Sequence, residues 1–423
     1  MSSALGVPLP DLWSTAPLKH VSTVLSRGSA PNYVDSGSVR TISQAANQAN
    51  GVDWSRTRFH DFDGDPTGLK GYLRPNDILI NSTGTGTLGR VGFFSEAPDH
   101  LPCMADSHVT IARANSDELD ARFAYYWLSS RPFQEFVYAA LAVGATNQIE
   151  LNRDRLGSAP VPLPPAQEQR RIANYLDVET EKIDDLVTKK RHLVALMNER
   201  IDSRVLQHVG ESQLTDAPSG TALVPIRRVL KKVFRPALNY VGIVTAFRDG
   251  QVTDRALRRA EGYTMSASSD PQGQNVQIND VVVHGLDGFA GAIGTAEAIG
   301  NCSPVYHVCV PKHNGDARYL GRLLRLLALQ GYLGNFATST RERAVDFRNW
   351  EIFGRIPIPS VPDAEQQEVG HWITQVRPLH EAIERSAALA AERRQALITA
   401  AVTGQFDVST ASGRNVTDGV PTA

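Results

Sequence analysis

Two stretches of this chain repeat one another at a distance close to half of its 423 residues. In the first stretch Pro162–Pro165 precede AQEQRRIANYLDVETEKIDDL, and in the second Ile356–Pro359 precede, after a short insertion, AEQQEVGHWITQVRPLHEAI. The matched residues are Glu168 with Glu365, Gln169 with Gln366, Ile172 with Val369, Leu176 with Ile373, and upstream Arg153 with Arg348. Solenoid repeats measure ~20–50 residues, so two copies at this distance indicate two whole modules.

Each half carries the same further signals. Asn76-Asp77-Ile78-Leu79 parallels Asn279-Asp280-Val281-Val282, and each run leads to a glycine-rich turn, GTLG at 86–89 and GAIG at 291–294. Each half is thus an α+β module, a proline-rich stop and a long helix. The fold expected is α+β, with two pseudo-repeated mixed α/β domains joined by two long antiparallel helices.

A narrow apolar stripe follows Pro165, at positions 172, 176, 183, 186, 193, 197, 201 and 205. This spacing predicts a helix of ~40 residues and ~60 Å that ends near Gly210. The second copy predicts a helix over 363–403, with a kink at Pro378. A stripe on so long a helix favours a partner helix. Packing of each helix on its own domain is the alternative.

In the favoured interpretation the two helices pack antiparallel as a spacer between the modules. The predicted packing residues are Ile172, Leu176, Ile183, Leu186, Leu193, Met197, Val369, Ile373, Ile383 and Leu397. The predicted divisions are a recognition domain at 1–160, a helical region at 161–210, a second domain at 211–355, a helical region at 356–407 and a disordered tail at 408–423.

The helical segments resemble the conserved regions of type I restriction–modification specificity subunits. PVPLPPAQEQRRIANYLDVETEKIDDL is similar to the central region of that family, and ERRQALITAAVTGQFDV is similar to its distal region. The resemblance covers nearly the whole chain in the family's order. The second region departs from the pattern at Gly370, Pro378 and Ser360-Val361-Pro362, which leaves its helix boundaries open.

The resemblance implies a non-catalytic subunit that selects DNA, and a sequence without a signal peptide or a membrane-spanning run predicts a cytoplasmic protein. Its implied partners are double-stranded DNA, two modification (methyltransferase) subunits that dock on the helices, and restriction/translocase subunits. The subunit itself holds no cofactor, because methyl donor and ATP belong to the partner subunits. A related system, in which one companion chain combines methylase and nuclease, would give the same motifs. A nuclease or methylase with an unrecognised motif, and a coiled-coil scaffold with two ligand-binding heads, are the rivals from other classes.

Composition and motifs argue against several other functions. The net charge of -2 gives no overall basic field, so DNA binding must come from local clusters. The scattered Cys103, Cys302 and Cys309 do not form a zinc or disulfide pattern, and neither a signal peptide nor a membrane-spanning run is present. GTGTLG at 84–89 matches a dinucleotide fingerprint only in letters, because no helix opens after it. A hairpin turn explains both glycine-rich segments.

The candidate DNA contacts are basic residues for phosphates, and Arg, Asn and Gln for base edges. The richest segment runs from Arg227 to Arg259, with Tyr240, Phe247 and Tyr263 interleaved, and two equivalent polar loops carry Asn147-Gln148 and Arg341–Arg343. The full set of candidates is Arg27, Arg40, Arg56, Arg58, Lys70, Asn147, Gln148, Arg153, Arg228, Lys231, Lys232, Arg235, Arg248, Arg255, Arg258, Arg259, Arg341, Arg343 and Arg348. Ordinary surface charge is the alternative for each.

Overall fold

The computed structural model describes residues 2–49, 51–84, 86–143, 149–207, 222–258, 273–336 and 346–410. Two compact units divide the chain: one comprises residues 1–189 and 386–423, the other 190–385. Each unit contains one globular domain, the beginning of one long helix and the end of the other. The predicted helix end at Gly210 and the predicted disorder beyond Thr410 lie outside the described residues.

The first domain is a mixed α/β fold. Its strands are β1 (Ser14–Pro17), β2 (Ser22–Arg27), β3 (Val39–Ile42), β4 (Arg58–His60), β5 (Asp77–Asn81), β6 (Val91–Phe94), β7 (Cys103–Ala105) and β8 (Val109–Ala114). Its helices are α1 (Ala121–Ser129), α2 (Arg131–Phe136) and α3 (Arg153–Gly157), and strand β9 (Pro160–Leu163) leads out of the domain. Shorter β-ladders and short 3-10 and π helices make up the rest of this domain.

A four-stranded antiparallel sheet in the order β6-β5-β8-β2 forms the centre of this domain. Strand β5 is buried along its whole length, which explains its unbroken Ile-Leu-Ile run. A smaller sheet pairs β7 with β3 in parallel and β3 with β4 antiparallel. Helix α1 covers the large sheet with Phe123 and Trp127, both fully buried, and β1 pairs with β9 where the chain enters and leaves the domain.

The second domain repeats this construction. After helix α4 (Ala166–Leu206) its elements are β10 (Leu223–Pro225), α5 (Ile226–Val229), β11 (Leu230–Val233), β12 (Val244–Ala246), β13 (Val252–Asp254), β14 (Gln274–Val276), β15 (Val281–His284), β16 (Ile293–Thr295), β17 (Gly300–Cys302), β18 (Tyr306–Pro311), α6 (Ala317–Leu329), α7 (Trp350–Phe353), β19 (Pro357–Pro359) and the long helix α8 (Asp363–Val402). The central sheet has the order β16-β15-β18-β11, again antiparallel throughout. Strand β10 pairs with β19, as β1 pairs with β9.

Helices α4 and α8 pack antiparallel within each unit. In the first unit Asp184 of α4 forms an ion pair with Arg394 of α8 at 2.9 Å. In the second unit Arg204, nearer the end of α4, pairs with Glu368, nearer the start of α8, at 2.6 Å. The expected fold class, two mixed α/β domains joined by two long helices that pack together, is confirmed.

The predicted packing stripe needs correction in its middle. Ile172 and Leu176 are buried, whereas Leu186 and Leu193 are 45% and 46% exposed. The neighbouring Val187 is buried. Apolar residues occupy both 186 and 187, three and four residues after the half-buried Ile183, so the 3.6-residue period alone leaves open which one faces inward; in the structure it is Val187. The other predicted packing residues are half-buried or buried, namely Met197, Val369, Ile373, Ile383 and Leu397.

Helix caps fix the register of the repeat and correct part of the predicted alignment. Asn152 and Asn349 are the equivalent residues, because each caps its short helix with a side-chain oxygen that accepts from a backbone N–H. Arg153 therefore begins α3, whereas Arg348 precedes the cap of α7. With this register Pro160, Pro162 and Pro165 match Pro357, Pro359 and Pro362 at the same spacing as Gln169 and Gln366. The predicted insertion before α8 is therefore absent.

A buried amide fastens each domain to the start of its long helix. Gln169 Oε1 accepts from the backbone N–H of Asp120, the residue that caps α1, at 2.8 Å, while its Nε2 donates to the Pro164 carbonyl at 2.9 Å. Gln366 makes the same two contacts, from Asp316 N at 3.2 Å and to Val361 O at 2.7 Å. Both glutamines are nearly inaccessible to solvent. The Glu-Gln motif is thus a structural clamp.

Gly370 is explained by the same contact. A Cβ atom at this position of α8 would lie 2.2 Å from the carboxylate of Asp316, so only glycine lets the helix approach the cap of α6. Helix α8 continues through both Gly370 and Pro378. The departures from the family pattern therefore do not interrupt the helix.

The Asn-Asp pair leads into the central strand of each domain: Asp77 is the first residue of β5, and Asp280 immediately precedes β15. Asn76 and Asn279 have φ values of 73° and 69°, a left-handed conformation that asparagine tolerates better than most side chains. The following Asp77 carboxylate accepts from the backbone of Arg74 and pairs through both oxygens with Arg113 at 2.7 Å. The hydrogen bond with Asp77 raises the pKa of Arg113 above its usual value. This ion pair links the start of β5 to the neighbouring strand β8.

Replacing Asp77 by Ala is expected to lower the free energy of unfolding by roughly 3 kcal/mol, because Arg113 then loses its ion pair with this fully buried carboxylate in a largely buried place. Asp63→Ala, at an exposed position in the same domain, is the control and should change stability by less than about 0.5 kcal/mol. Denaturant unfolding of both variants provides the measurement. Equal stability of the two variants would contradict the structural role of the pair.

The second domain contains a buried histidine that makes its stability depend on pH. His307 stacks on Phe353, donates from Nε2 to the Phe347 carbonyl at 2.6 Å, and has no partner for Nδ1 in the part of the chain that is described. Burial lowers its pKa to about 4. Because the unfolded chain binds this proton below pH ~6.5, stability should fall by on the order of 3 kcal/mol as pH drops from there to about 4. His307→Phe should flatten this part of the stability–pH curve measured by thermal unfolding; an unchanged curve would contradict the assignment.

Candidate nucleic-acid interface

The glycine-rich turn connects two strands of a hairpin, as predicted. In the first domain β5 and β6 pair antiparallel, and Gly84, Gly86 and Gly89 between them have φ values of 98°, 81° and 76°. In the second domain β15 and β16 form the same hairpin, with Gly291 at 93°. These are conformations that glycine adopts without strain. The segment is a sharp turn at the end of the central strand.

The predicted polar loops join the sheet at the same place. In the first domain Leu151 N donates to the Ser82 carbonyl at 2.9 Å, directly after β5. Arg27 holds this segment with a hydrogen bond to Glu150 at 3.2 Å and another to the Leu151 carbonyl at 3.3 Å. Arg27 therefore holds the chain that directly follows the loop, at Glu150 and Leu151. Asn147 and Gln148 themselves lie outside the described residues.

The second domain anchors its loop in the equivalent way. Phe347 N donates to the Gly285 carbonyl at 2.8 Å, directly after β15, and the Phe347 carbonyl accepts from His307. Arg348 donates to the Asp346 carboxylate from Nε and from Nη2, the latter at 2.6 Å from Oδ2, and its side chain remains 57% exposed. Arg341 and Arg343, and likewise Arg259, lie outside the described residues. In both domains, then, the chain that follows the candidate loop is fixed beside the glycine-rich hairpin.

Three polar side chains of the first domain lie together just after the end of β5, and the sequence analysis did not identify them. Thr83 Oγ1 donates to Gln44 Oε1 at 3.0 Å and lies 2.8 Å from His108 Nδ1. His108 is exposed, and the other two are half-buried. No local pattern marks them, because Gln44 and His108 reach the turn only through the folding of the sheet.

The second domain presents an exposed cationic and aromatic surface along β11. Lys231 and Lys232 both project from this edge strand into solvent, and Arg228 precedes them. Phe234 and Tyr240 follow with exposures of 73% and 75%. Ammonium groups bind phosphates, and exposed aromatic rings contact sugars and bases.

Other arginines of the second domain lie in surface ion pairs. Arg248 contacts Asp287 at 2.9 Å, and Arg258 contacts Asp249 at 2.6 Å while lying over the Phe247 ring. Exposed pairs of this kind stabilise a protein by only ~0–1 kcal/mol, so a phosphate can displace the carboxylate. Arg255, in the turn after β13, has its own intramolecular contacts.

The first domain also exposes cationic side chains. Arg58 lies over the ring of Tyr33 at 4.1 Å, and Arg56 is 60% exposed although it pairs with Asp53. Lys70 and Arg153 are exposed as well. These cations remain candidates for phosphate contacts.

Two predicted DNA contacts are structural instead. Arg40 is only 19% exposed; it pairs with Asp99 at 2.6 Å and lies over the Phe59 ring. Arg235 binds both carboxylate oxygens of the buried Asp280 through Nη1 and Nη2. Arg113 binds Asp77 in the first domain in the same two-point way, through Nε and Nη2. Moving Arg235 away from Asp280 would leave that carboxylate unpaired in a desolvated place, which is unfavourable, and Arg40 has little surface left for DNA. We therefore exclude both from the candidate interface.

The described residues contain no group of three or more His, Cys, Asp or Glu side chains arranged to hold a metal ion. All three cysteines are free and buried, and burial raises the pKa of both Cys103 and Cys302 to about 12, so neither thiol is an activated nucleophile. Within the same residues, no helix has the length and apolar character needed to cross a bilayer.

Comparison with known proteins gives a family for this arrangement. Residues 46–194 match the family model of the Type I restriction modification DNA specificity domain. No curated protein matches the sequence. A chain from a structure on complex assembly and conformational transition of the type I R-M system aligns over 94% of this chain and 99% of its own length, with 16% identity and a TM-score of 0.54.

A second solved structure gives the same fold. The S subunit of the type I restriction–modification system from M. genitalium aligns over 96% of this chain and 100% of its own, with 14% identity and a TM-score of 0.50. The matched domain recognises DNA and is not catalytic. The family resemblance stated from the sequence is confirmed: through residues 46–194 this chain carries the type I restriction modification DNA specificity domain, and over nearly its whole length it has the fold of a type I specificity subunit.

Proposed function

We propose that this chain selects the DNA target of a type I restriction–modification complex, with each domain recognising one half of a bipartite asymmetric sequence. The observation that carries the proposal is the repeated edge at the end of the central strand. Leu151 and Phe347 return to that edge through the same backbone hydrogen bond, whereas the side chains around it differ between the domains. A common scaffold with different side chains suits two different half-sites.

Two modification subunits dock along α4 and α8, and restriction subunits join that core. The methyl donor and ATP are bound by those partners, in agreement with a DNA specificity domain that is itself non-catalytic. The exposed cations of the second domain, Arg228, Lys231 and Lys232, contact phosphates of its half-site.

Co-expression of the chain with its modification subunits should direct methylation to one split, non-palindromic sequence, while the isolated chain should neither methylate nor cleave DNA. Genome-wide methylation mapping with and without the gene provides the measurement. Methyl transfer by the isolated chain, or methylation by the assembled complex without a sequence preference, would contradict the proposal.

The long helices set the gap between the two half-sites. Insertion of four residues after Lys189, matched by four after Arg385 so that the antiparallel pairing keeps its register, lengthens both helices by about one turn, or ~5–6 Å. Because one base-pair step of B-DNA is ~3.4 Å, the spacer in the methylated sequence should lengthen by one or two base pairs while the bases at either end stay the same.

The control carries the same four residues after Thr410, outside the helices, and should methylate the original sequence. An unchanged spacer in a fully active double insertion would show that the helices do not determine the separation. The alternative system, with methylase and nuclease on one companion chain, makes the same prediction and is distinguished by which partner co-purifies.

A further inference from the structure

Three side chains of the first domain form a hydrogen-bonded relay at the end of β5. His108 Nδ1 lies 2.8 Å from Thr83 Oγ1, and that hydroxyl donates to Gln44 Oε1 at 3.0 Å. A threonine hydroxyl has one proton, which here points to the amide oxygen. With the Gln44 amide oriented in this way, His108 donates from Nδ1 to Thr83.

The relay leaves one donor and one acceptor for an outside partner. With its proton on Nδ1, the His108 ring presents the Nε2 lone pair, and Gln44 presents the two N–H groups of its Nε2. Neither Nε2 atom has a hydrogen-bond partner within the described ranges, and neither is buried without one. His108 is exposed to solvent.

The backbone holds the relay in place. Ser82 N donates to the His108 carbonyl at 2.8 Å, and His108 N donates to the Asp106 carboxylate at 2.8 Å. The Gln44 carbonyl accepts from Asn81 Nδ2 at 3.0 Å. A Cβ atom at Gly84 would come within 2.8 Å of Gln44 Oε1, so the turn closes tightly against the amide. Side chains fixed in this way lose little freedom when they bind.

Comparison of the two domains distinguishes the relay side chains, which differ, from the backbone that both domains share. Gly285 N donates to the Val305 carbonyl as Ser82 N donates to that of His108, so Val305 and Leu286 are the second domain's equivalents of His108 and Thr83. Leu286 is 42% exposed. The backbone bond is retained in both domains, whereas the side chains of His108 and Thr83 are replaced by apolar ones. Residues that differ on a common scaffold are those expected to determine a difference in target.

We propose that Gln44, Thr83 and His108 form a base-reading element of the first domain and that the base is an adenine in the major groove. Adenine presents an acceptor, N7, beside a donor, the N6 amino group, whereas guanine presents two acceptors there. Gln44 Nε2 donates to N7, and His108 Nε2 accepts from N6. This inference rests on the proposed function, because it names one base of one half-site.

The first test compares two variants of the chain assembled with its modification subunits. Gln44→Glu keeps an oxygen for Thr83 but removes the donor to N7, so a merely structural Gln44 would tolerate it. The double variant Thr83→Leu/His108→Val installs the residues of the second domain. Each should reduce the preference for adenine at one position of one half-site by about 5- to 150-fold, equivalent to the ~1–3 kcal/mol of a bidentate base contact. His20→Val, an exposed histidine of the same domain, is the control and should methylate the original sequence.

A chemical probe keeps the test decisive if a variant fails to fold. Duplexes with 7-deazaadenine at each adenine of the target in turn lack only N7, and the wild-type complex should bind one of them about 5- to 150-fold more weakly than the natural duplex. The Gln44→Glu complex should not distinguish that duplex from the natural one, because the contact is already absent.

Unaltered methylation maps for both variants, a change at a base other than adenine, or equal binding of all 7-deaza duplexes by the wild-type complex would overturn the inference. Each of these outcomes leaves the bipartite target itself intact. Absence of any split target for the wild-type complex would instead contradict the proposed function.

Discussion

The architecture depends on one buried amide in each half of the chain. Gln169 and Gln366 each join the first turn of a long helix to the residue that caps the helix lying on the domain's sheet. An unpaired amide in such a place would cost ~1–3 kcal/mol, so each glutamine stabilises one arrangement of the helix start against the domain. In the first unit, buried Ile172 and Leu176 and the hydrogen bond between Tyr126 and Asp177 hold the same arrangement. These contacts together fix where the strand ends with the candidate DNA contacts lie relative to the helix of their own unit.

The central sheet adds a second constraint, which both domains meet with different residues. A buried aspartate begins the middle strand in each, yet Arg113 on the neighbouring strand β8 neutralises Asp77, while Arg235, which follows the edge strand β11, neutralises Asp280. The geometry of the strand start is kept while the source of the positive charge changes. Such a scaffold can accept new side chains at the far end of the strand without losing the ion pair at its start. The relay of Gln44, Thr83 and His108 occupies that far end.

Much of the fold could be predicted from the sequence because its signals are local or periodic. The Glu-Gln motif, the Asn-Asp pair and the glycine-rich turn lie in short segments, and the long helices repeat an apolar period. Predictions failed where the outcome depended on a distant partner. Nothing near Arg40 or Arg235 indicates Asp99 or Asp280, and the helical period does not distinguish the exposed Leu186 from the buried Val187. Gln44 and His108 approach Thr83 from strands and turns that are far apart along the chain.

The pairing of β1 with β9, and of β10 with β19, has a genetic consequence. Each domain begins and ends in adjacent strands, Ser14–Pro17 beside Pro160–Leu163 and Leu223–Pro225 beside Pro357–Pro359, so its two chain ends lie together at the helix that supports it. A foreign segment with the same two end strands could replace everything between them and still meet the helix correctly. Under the proposed function, crossovers between related genes at these proline-rich borders would exchange one half of the recognition sequence in a single event. Each half of the target could then change without the other.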